Sequence, residues 1–375
     1  MPKKSKAVDT LDTVKTIESN MNSASFITNI TIENGDTIKF DLNNISKEIK
    51  TSFSNAIRRT IISDIKTYTM EERSISFSEN TSVLDNEFLK LRLSLIPIIS
   101  DLKDVNYENL VISCKKRNDG ENTEGVYVSD FECRDIETDQ IVDINTLCKF
   151  PGILFCKIRN NQSVAFESRL AYHNSDHHGA SYCPVGTCIY TFKVDEKEVN
   201  EIIKDMSDGE KISFSTLDRE RVYEKMDDGH PSVYQFVVES IGFYEPRKIV
   251  LMGMDCLIEN LTVLKTDFNN MLDTSTKDSR IELIENSANE SNFYDFAIDN
   301  ETETLGNLLS SYMAYDPNVF YCGFVIEHPL KKTVTLRIKL INDNTYENII
   351  ALITKYVDYF IGLIKKMQTD IENAL

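Results

Sequence analysis

Tryptophan is absent from this chain of 375 residues, and glycine and proline are scarce, with 13 and 8 residues. Average usage is about 7% for glycine and about 5% for proline. Asparagine, isoleucine, lysine and aspartate are abundant in their place. We attribute this pattern to codon bias in an AT-rich genome and not to function.

Basic residues are also in short supply. The chain has 41 Lys and Arg against 60 Asp and Glu, and 41 − 60 gives a net charge of −19. Because affinity for DNA or RNA comes largely from cationic contacts to phosphates, this balance excludes an autonomous nucleic-acid binder. We predict no strong direct contact with nucleic acid. The length suggests two or three domains, and 41% hydrophobic residues suffice for their cores.

Long apolar runs are missing as well. No stretch of about 18 uncharged apolar residues occurs, and the first 20 residues lack the apolar segment of a signal peptide. We therefore expect a soluble, intracellular protein that makes no membrane contact. The eight cysteines show no CxxC pair, which predicts free thiols in a reducing compartment.

Motifs that carry catalysis are not found. The sequence has no glycine-rich phosphate loop and no run of carboxylates typical of two-metal nucleotidyl transfer, so we expect no enzyme by itself and no cofactor. One cluster could bind zinc if it folded tetrahedrally, although its spacing matches no strong zinc pattern. It consists of His173, His177, His178, Cys183 and Cys188. Structural or surface roles are the alternative, and a metal hydrolase that also uses Asp176 is another.

Periodic patterns begin after a polar tail at residues 1–24. Two β-rich runs flank Asn34-Gly35, which is a strong hairpin signal. An amphipathic helix is predicted over 46–66, and Arg58 and Arg59 point away from its apolar stripe. Two longer amphipathic helices are predicted, one after Pro246 and one at about 345–373, and the polar segment at 273–292 is predicted to be a linker.

The chain contains an internal repeat. Aligning Asn55 with Asn307 brings SNAIRRTIISD onto GNLLSSYMAYD, and both segments have a helical pattern. His230-Pro231 and His328-Pro329 each precede a strand pattern and then a long helix. The sequence therefore predicts two related units, the first of which is interrupted by an insert from about residue 76 to residue 187.

These segments resemble a known family. FSNAIRRTIISDIKTYTM (53–70), followed by NTSVLDNEFLKLRLSLIPI (80–98), resembles the amino-terminal domain shared by the bacterial RNA polymerase alpha subunit and the third subunit of eukaryotic RNA polymerase II. Residues 302–309, Asp316-Pro317 and His328-Pro329 resemble the eleventh subunit, the small partner of the third. One chain with both partners is similar to the fused subunits of polymerases encoded by large cytoplasmic DNA viruses.

The resemblance implies an α+β chain in which two alpha-subunit-type dimerisation modules pair intramolecularly through helices, with a mostly β insert in the first. The predicted ranges are a flexible tail at 1–24, a third-subunit-like module at 25–75 plus 188–272, an insert domain at 76–187, a linker at 273–292 and an eleventh-subunit-like module at 293–375. A linker of this length holds the pair at high effective concentration.

The resemblance also implies a non-catalytic assembly subunit for transcription. The largest and second-largest polymerase subunits would dock on it beside small polymerase subunits, in the virion and host cytoplasm for a virus and otherwise in the nucleus. It implies partner contacts by Asn55, Arg58, Arg59 and Arg92, and an internal dimer interface of Phe53, Ile57, Leu305, Leu308 and Leu309. Solvated helix charges are the alternative for Arg58 and Arg59. A stand-alone transcription adaptor with the same fold is the competing function.

Overall fold

The computed structural model describes residues 25–45, 48–103, 105–272, 280–284, 292–328 and 330–374. The first module opens with β1 (Ile27–Glu33), β2 (Thr37–Asn43) and α1 (Thr51–Ser63). The insert follows with β3 (Thr67–Met70), β4 (Ser76–Asn80), α2 (Asn86–Ser94), β5 (Leu110–Arg117), β6 (Glu124–Tyr127), β7 (Glu132–Asp135), β8 (Ile141–Val142), α3 (Ile144–Leu147), β9 (Leu154–Ile158), β10 (Ser163–His173) and α4 (Ser175–His178). The first module resumes with β11 (Val185–Phe192), α5 (Glu196–Ile203), α6 (Asp208–Leu217), β12 (Val233–Ser240) and α7 (Pro246–Asn270). The second module comprises β13 (Ile281–Ile284), β14 (Tyr294–Asp299), α8 (Glu303–Met313), β15 (Val319–Val325), β16 (Thr333–Leu340) and α9 (Tyr346–Asn373).

The sheet of the first module is antiparallel, with the order β1-β2-β12-β11. Asn34 and Gly35, between β1 and β2, adopt φ angles of 53° and 77°, the left-handed conformation that a tight hairpin turn needs. Every second residue of β2 is buried, as expected of a strand with one face on a core. Across the sheet, the rings of Phe40 and Phe236 stack with centroids 5.0 Å apart.

The second module repeats this arrangement in fewer residues. Its strands have the order β13-β14-β16-β15, so each takes the place of a first-module strand. In both modules a helix of medium length, α1 or α8, precedes the third strand, and a long helix, α7 or α9, follows the fourth.

The helices of both modules pack into one continuous core. The ring centroid of Phe53 on α1 lies 6.2 Å from that of Phe360 on α9, and the ring centroid of Tyr312 on α8 lies 4.8 Å from that of the same Phe360. Phe268 on α7 packs edge-on against Phe296 on β14. The prediction of an α+β fold with two modules that pair through helices is confirmed, because their apolar stripes meet inside one chain.

The insert has a core of its own, which includes a triad of edge-packed rings from Phe131, Phe155 and Phe166. Its sheet has the order β3-β10-β5-β7-β8, and β4 also pairs with β10. The predicted boundary at residue 76 therefore needs correction, because β3 already belongs to this sheet. At the other end, β11 joins the first module from Val185, three residues before the predicted boundary.

The predicted linker at 273–292 also needs correction. Residues 281–284 form β13 and pair with β14, and the side chain of Ile281 is buried. Residues 273–279 and 285–291 lie outside the described part of the chain, as does the predicted tail at 1–24. The second module therefore begins before residue 293.

The connection between β11 and β12 was not predicted as a helical segment. It carries α5 and α6, whereas the equivalent connection between β15 and β16 spans only residues 326–332. No residue of α6 is buried.

Among the described helices, none is both long enough and apolar enough to cross a membrane.

Candidate partner-docking surface around the first helix

Helix α1 places its side chains on two faces. Phe53 and Ile57 are fully buried because their spacing directs them into the shared core. Asn55, Arg58 and Arg59 are half-buried on the outer side of the helix. The outer side is therefore the first place to look for a contact with another protein.

Arg59 is engaged inside the chain. Its Nη1 lies 2.7 Å from the Glu303 carboxylate, and its Nε donates to the Thr304 hydroxyl at 2.7 Å. Both partners belong to α8 of the second module. We predicted that Arg59 contacts another protein, whereas here its guanidinium joins the two modules. This internal contact forms because the outer edge of α1 faces the start of α8 where the two helices cross, and the contact with another protein stays a prediction.

The crossing of α1 and α8 is nearly two-fold symmetric. The repeat alignment has an offset of 307 − 55 = 252 residues, which makes Thr304 the equivalent of Ser52 and Ser311 the equivalent of Arg59. The contact between Arg59 and Thr304 therefore has a counterpart between Ser311 and Ser52, whose hydroxyls are 2.6 Å apart. An isologous interface has this reciprocity. Sequence reasoning missed Ser52 and Ser311, although the repeat alignment held the signal.

Arg58 and Asn55 form a pair on the outer side of α1. The Nε and Nη2 groups of Arg58 donate to Asn55 Oδ1 at 3.0 and 2.9 Å. This pair orients the guanidinium and leaves N–H groups for a further acceptor, since arginine has five donors. Of the four residues predicted to contact a partner, these two keep outward-facing polar groups.

A groove of about 600 Å³ lies beside this pair. Both modules contribute to it, and the two asparagines that the repeat alignment equates, Asn55 and Asn307, both line it. The other lining residues are Lys50, Thr51, Ser52, Tyr190, His230, Ser311 and Tyr315. The groove exists only when the modules are paired, because one side of it comes from α1 and the other from α8.

Lys50 closes one end of the groove and was not predicted. Its Nζ donates to the Ser311 carbonyl at 2.9 Å and lies 4.0 Å from the centre of the Tyr315 ring. Burial lowers the pKa of this ammonium group, while the charge of Asp228 acts in the opposite direction. The residue therefore ties α1 to α8 from the end opposite Arg59.

Arg92, for which a partner contact is predicted, makes hydrogen bonds within the insert. Its Nε donates to the Phe155 carbonyl at 2.8 Å, and its Nη2 donates to the Leu154 carbonyl at 2.7 Å. These bonds hold α2 against β9 within the insert. Arg92 is thus not brought together with Asn55 and Arg58, and it acts here as a positioning residue for α2.

The residues predicted for the internal interface are all buried in the core shared by the two modules. From α1 these are Phe53 and Ile57, and from α8 they are Leu305, Leu308 and Leu309. Each is at most 2% exposed. Burial of this kind stabilises the pair through the hydrophobic effect, at about 1.5–3 kcal/mol for a large side chain.

The metal hypothesis gains no support from the side chains that the structure describes. Among them, no three His, Cys, Asp or Glu residues are placed to hold a metal ion. Burial raises the pKa of the Cys188 thiol to about 12, and the Cys183 thiol donates to the Val185 carbonyl. The Asp176 carboxylate oxygen Oδ2 lies 3.4 Å from Nζ of Lys332 in the second module. The side chains of His177 and His178 are outside the described set.

Comparison with known proteins identifies the two modules. A family model described as the RNA polymerase Rpb3/Rpb11 dimerisation domain matches residues 45–261, and a second model with the same description matches residues 294–369. The class is therefore a subunit-dimerisation protein with two such domains in one chain. Because the first match alone spans more than half of the sequence, the chain belongs to the RNA polymerase Rpb3/Rpb11 dimerisation domain family.

Curated relatives come from plants, fungi and archaea. The chain is 24% identical over 291 residues to the DNA-directed RNA polymerases IV and V subunit 3B of Arabidopsis thaliana, covering 62% of this chain and 88% of the relative. It is 24% identical over 296 residues to the DNA-directed RNA polymerase II subunit RPB3 of Schizosaccharomyces pombe, covering 69% and 93%. It is 42% identical over 116 residues to the DNA-directed RNA polymerase subunit Rpo3 of Methanocaldococcus jannaschii, covering 31% and 52%.

Proposed function

We propose that this chain is a non-catalytic assembly subunit of a DNA-directed RNA polymerase, on which the largest and second-largest subunits dock. The observation that carries the proposal is the internal pairing of two dimerisation modules across α1 and α8. The pairing removes both apolar helix faces from solvent within one chain. It therefore gives other subunits one fixed surface, without the need for a second dimerisation chain.

Arg58 and Asn55 are the residues of that surface that we assign to docking. Arg58 is half-buried, and Asn55 holds its guanidinium in a fixed orientation. A fixed guanidinium loses less entropy when it binds a carboxylate through its planar fork. We therefore expect a carboxylate of the second-largest subunit at this position. Arg59 is left out of the docking set because Glu303 already occupies it.

Charge reversal at Arg58 tests this assignment. Co-expression of tagged Arg58→Glu with the two largest subunits should recover about tenfold less of the second-largest subunit, which corresponds to about 1.4 kcal/mol. Arg221→Glu is a matched control, because Arg221 is 80% exposed on the connection between β11 and β12. Circular dichroism should show that both variants fold. Normal recovery of the second-largest subunit with Arg58→Glu would contradict docking at this surface.

Purification from the native source separates the polymerase subunit from the competing adaptor. A polymerase subunit should bring down two very large subunits and small polymerase subunits in fixed stoichiometry, whereas an adaptor would not. The tagged chain alone should show no RNA synthesis on a DNA template. Synthesis by the isolated chain would contradict a non-catalytic role.

We further infer that the chain belongs to a polymerase encoded by a large cytoplasmic DNA virus. Two observations support this inference. The amino-acid composition is the one that we attribute to an AT-rich genome, and two dimerisation domains are present in one chain. Antibodies against the chain should then label virions and cytoplasmic sites of viral transcription. A purely nuclear location would contradict the viral assignment and leave the polymerase assignment intact.

A further inference from the structure

The groove beside Asn55 lies where the internal repeat has no ion pair. At the opposite end of the α1–α8 crossing, Arg59 on α1 binds Glu303 on α8. The offset of 252 residues makes Ser311 the equivalent of Arg59 and Thr51 the equivalent of Glu303. Thr51 and Ser311 both line the groove of about 600 Å³. Two short hydroxyl side chains therefore replace an arginine and a glutamate at this end, which leaves room for a group from another protein.

The first turns of α1 and α8 differ in the same way. In α8, Glu303 places a carboxylate in the first turn, and the side chain of Thr302 caps the helix. In α1 the equivalent capping position is Lys50, which makes no side-chain cap, and the first turn has no acidic residue. A helix amino terminus carries about half an elementary positive charge, so a nearby carboxylate stabilises it. The second module therefore supplies this carboxylate itself, whereas the first module does not.

Two cations at this end of α1 have only neutral acceptors. Lys50 Nζ donates to the Ser311 carbonyl, and the Arg58 guanidinium donates to Asn55 Oδ1. Within the described residues neither cation forms an ion pair, although the charge of Asp228 acts on Lys50. None of the described residues that line the groove is an aspartate or a glutamate. In a chain of net charge −19, this groove is therefore complementary to a carboxylate.

One segment of a partner can reach both cations. Thr51 and Arg58 are seven residues apart, which places them on the same side of α1 and about 10 Å apart along its axis. We propose that the groove binds an acidic segment of the second-largest polymerase subunit, with one carboxylate at Arg58 and another between Lys50 and Thr51, in the place equivalent to that of Glu303. This inference rests on the proposed function, because it names the segment that docks beside Arg58.

Restoring a glutamate to α1 tests the proposal. Thr51→Glu gives α1 the carboxylate that α8 has, so the full chain should fold normally but repel an acidic segment. Co-expression with the two largest subunits should recover about tenfold less of the second-largest subunit with Thr51→Glu than with Thr51→Gln, which has a similar size and no charge. The same two substitutions at Thr216, which is exposed on α6, are the control and should not differ. Equal recovery with the two Thr51 variants would overturn the proposal and leave docking at Arg58 to its own test.

Photo-crosslinking identifies what the groove holds. Asn307 lies on α8 and lines the groove, so a crosslinking residue at position 307 of the full chain should attach to the second-largest subunit in the complex purified from the native source. The attached segment should contain at least two acidic residues. Crosslinks to a segment without acidic residues, to nucleic acid or to a second copy of the chain would overturn the groove proposal and leave the polymerase assignment intact. A complex without the two largest subunits would contradict both proposals.

Discussion

The two dimerisation modules have the same strand order but present different chemistry where α1 and α8 cross. At one end, Arg59 of the first module contacts Glu303 and Thr304 of the second. At the symmetric end, a serine stands in the arginine's place and contacts a second serine. Two copies of the first module would place arginine at both ends, without the acidic partner that Glu303 supplies. The difference favours pairing of the unlike modules over pairing of identical ones.

The modules also differ in what they add to the shared fold. The first contains an insert with a separate core and a helical connection between β11 and β12, while the second is compact and joins β15 to β16 through residues 326–332 alone. One core unites both modules, and the insert stands apart from it. Stability should therefore be coupled between the modules and largely uncoupled from the insert.

Removing a ring from the shared core should have the largest effect. Phe360→Ala leaves a cavity among Phe53 and Tyr312 and should lower the free energy of unfolding by about 3–5 kcal/mol. Hydrogen exchange should accelerate in α1 and α9 together. Phe155→Ala is the matched control, because it removes a buried ring from the insert core. If Phe360→Ala accelerated exchange in the insert as strongly as in α1, the two cores would not be independent.

Sequence reasoning reached the features that depend on local periodicity. The stripes of α1 and α9 were visible because apolar residues recur at helical spacing, and the repeat revealed two related modules. The contact of Arg59 could not be predicted in this way, because Glu303 lies 244 residues further along the chain. Helix α6 was missed because it buries no residue and so has no apolar stripe. Strand β13 was missed because only four residues carry its pattern.

A pair of glycines on the two long helices tests how closely each module packs. A Cβ at Gly253 on α7 would lie 2.4 Å from Ile61 Cγ1 and 3.2 Å from its Cα, so Gly253→Ala should cost about 1–3 kcal/mol. A Cβ at Gly362 on α9 would meet no atom within 4 Å, so Gly362→Ala should stabilise the protein by about 0.5–1 kcal/mol. Urea denaturation measures both changes. Equal effects would mean that the two long helices are packed alike.

A buried carboxyl at the module boundary should make stability depend on pH. Glu48 is 7% exposed, and its Oε2 has no hydrogen-bond partner within the described residues. Burial raises the pKa of Glu48, although the charge of Lys366 on α9 opposes the shift. A raised pKa gives stability that is complete below the unfolded value and is lost as pH rises through the folded value.

Replacing this carboxyl should remove that dependence. Glu48→Gln does not titrate, so the variant should gain stability relative to the wild type as pH rises from the ordinary glutamate range, near pH 4.5, towards neutrality. Denaturation midpoints across this range provide the measurement, and Glu121→Gln serves as an exposed control. If the curves of denaturation midpoint against pH were parallel for the wild type and Glu48→Gln, the ionisation of Glu48 would not affect the stability of the paired modules.

The smallest expected effect is the coupling energy at each end of the α1–α8 crossing. The two coupling energies should be similar in size but should differ clearly in their dependence on salt. Arg59 and Glu303 are 33% and 53% exposed, and such pairs contribute about 0.2–1 kcal/mol. A double-mutant cycle with Arg59→Ala and Glu303→Ala should give a coupling energy in this range. In 1 M salt the Debye length falls to about 3 Å, so that coupling should weaken. The cycle with Ser52→Ala and Ser311→Ala should keep its value, because a bond between neutral hydroxyls is not screened. If both cycles responded to salt alike, the chemical difference between the two ends would not set the pairing of the modules.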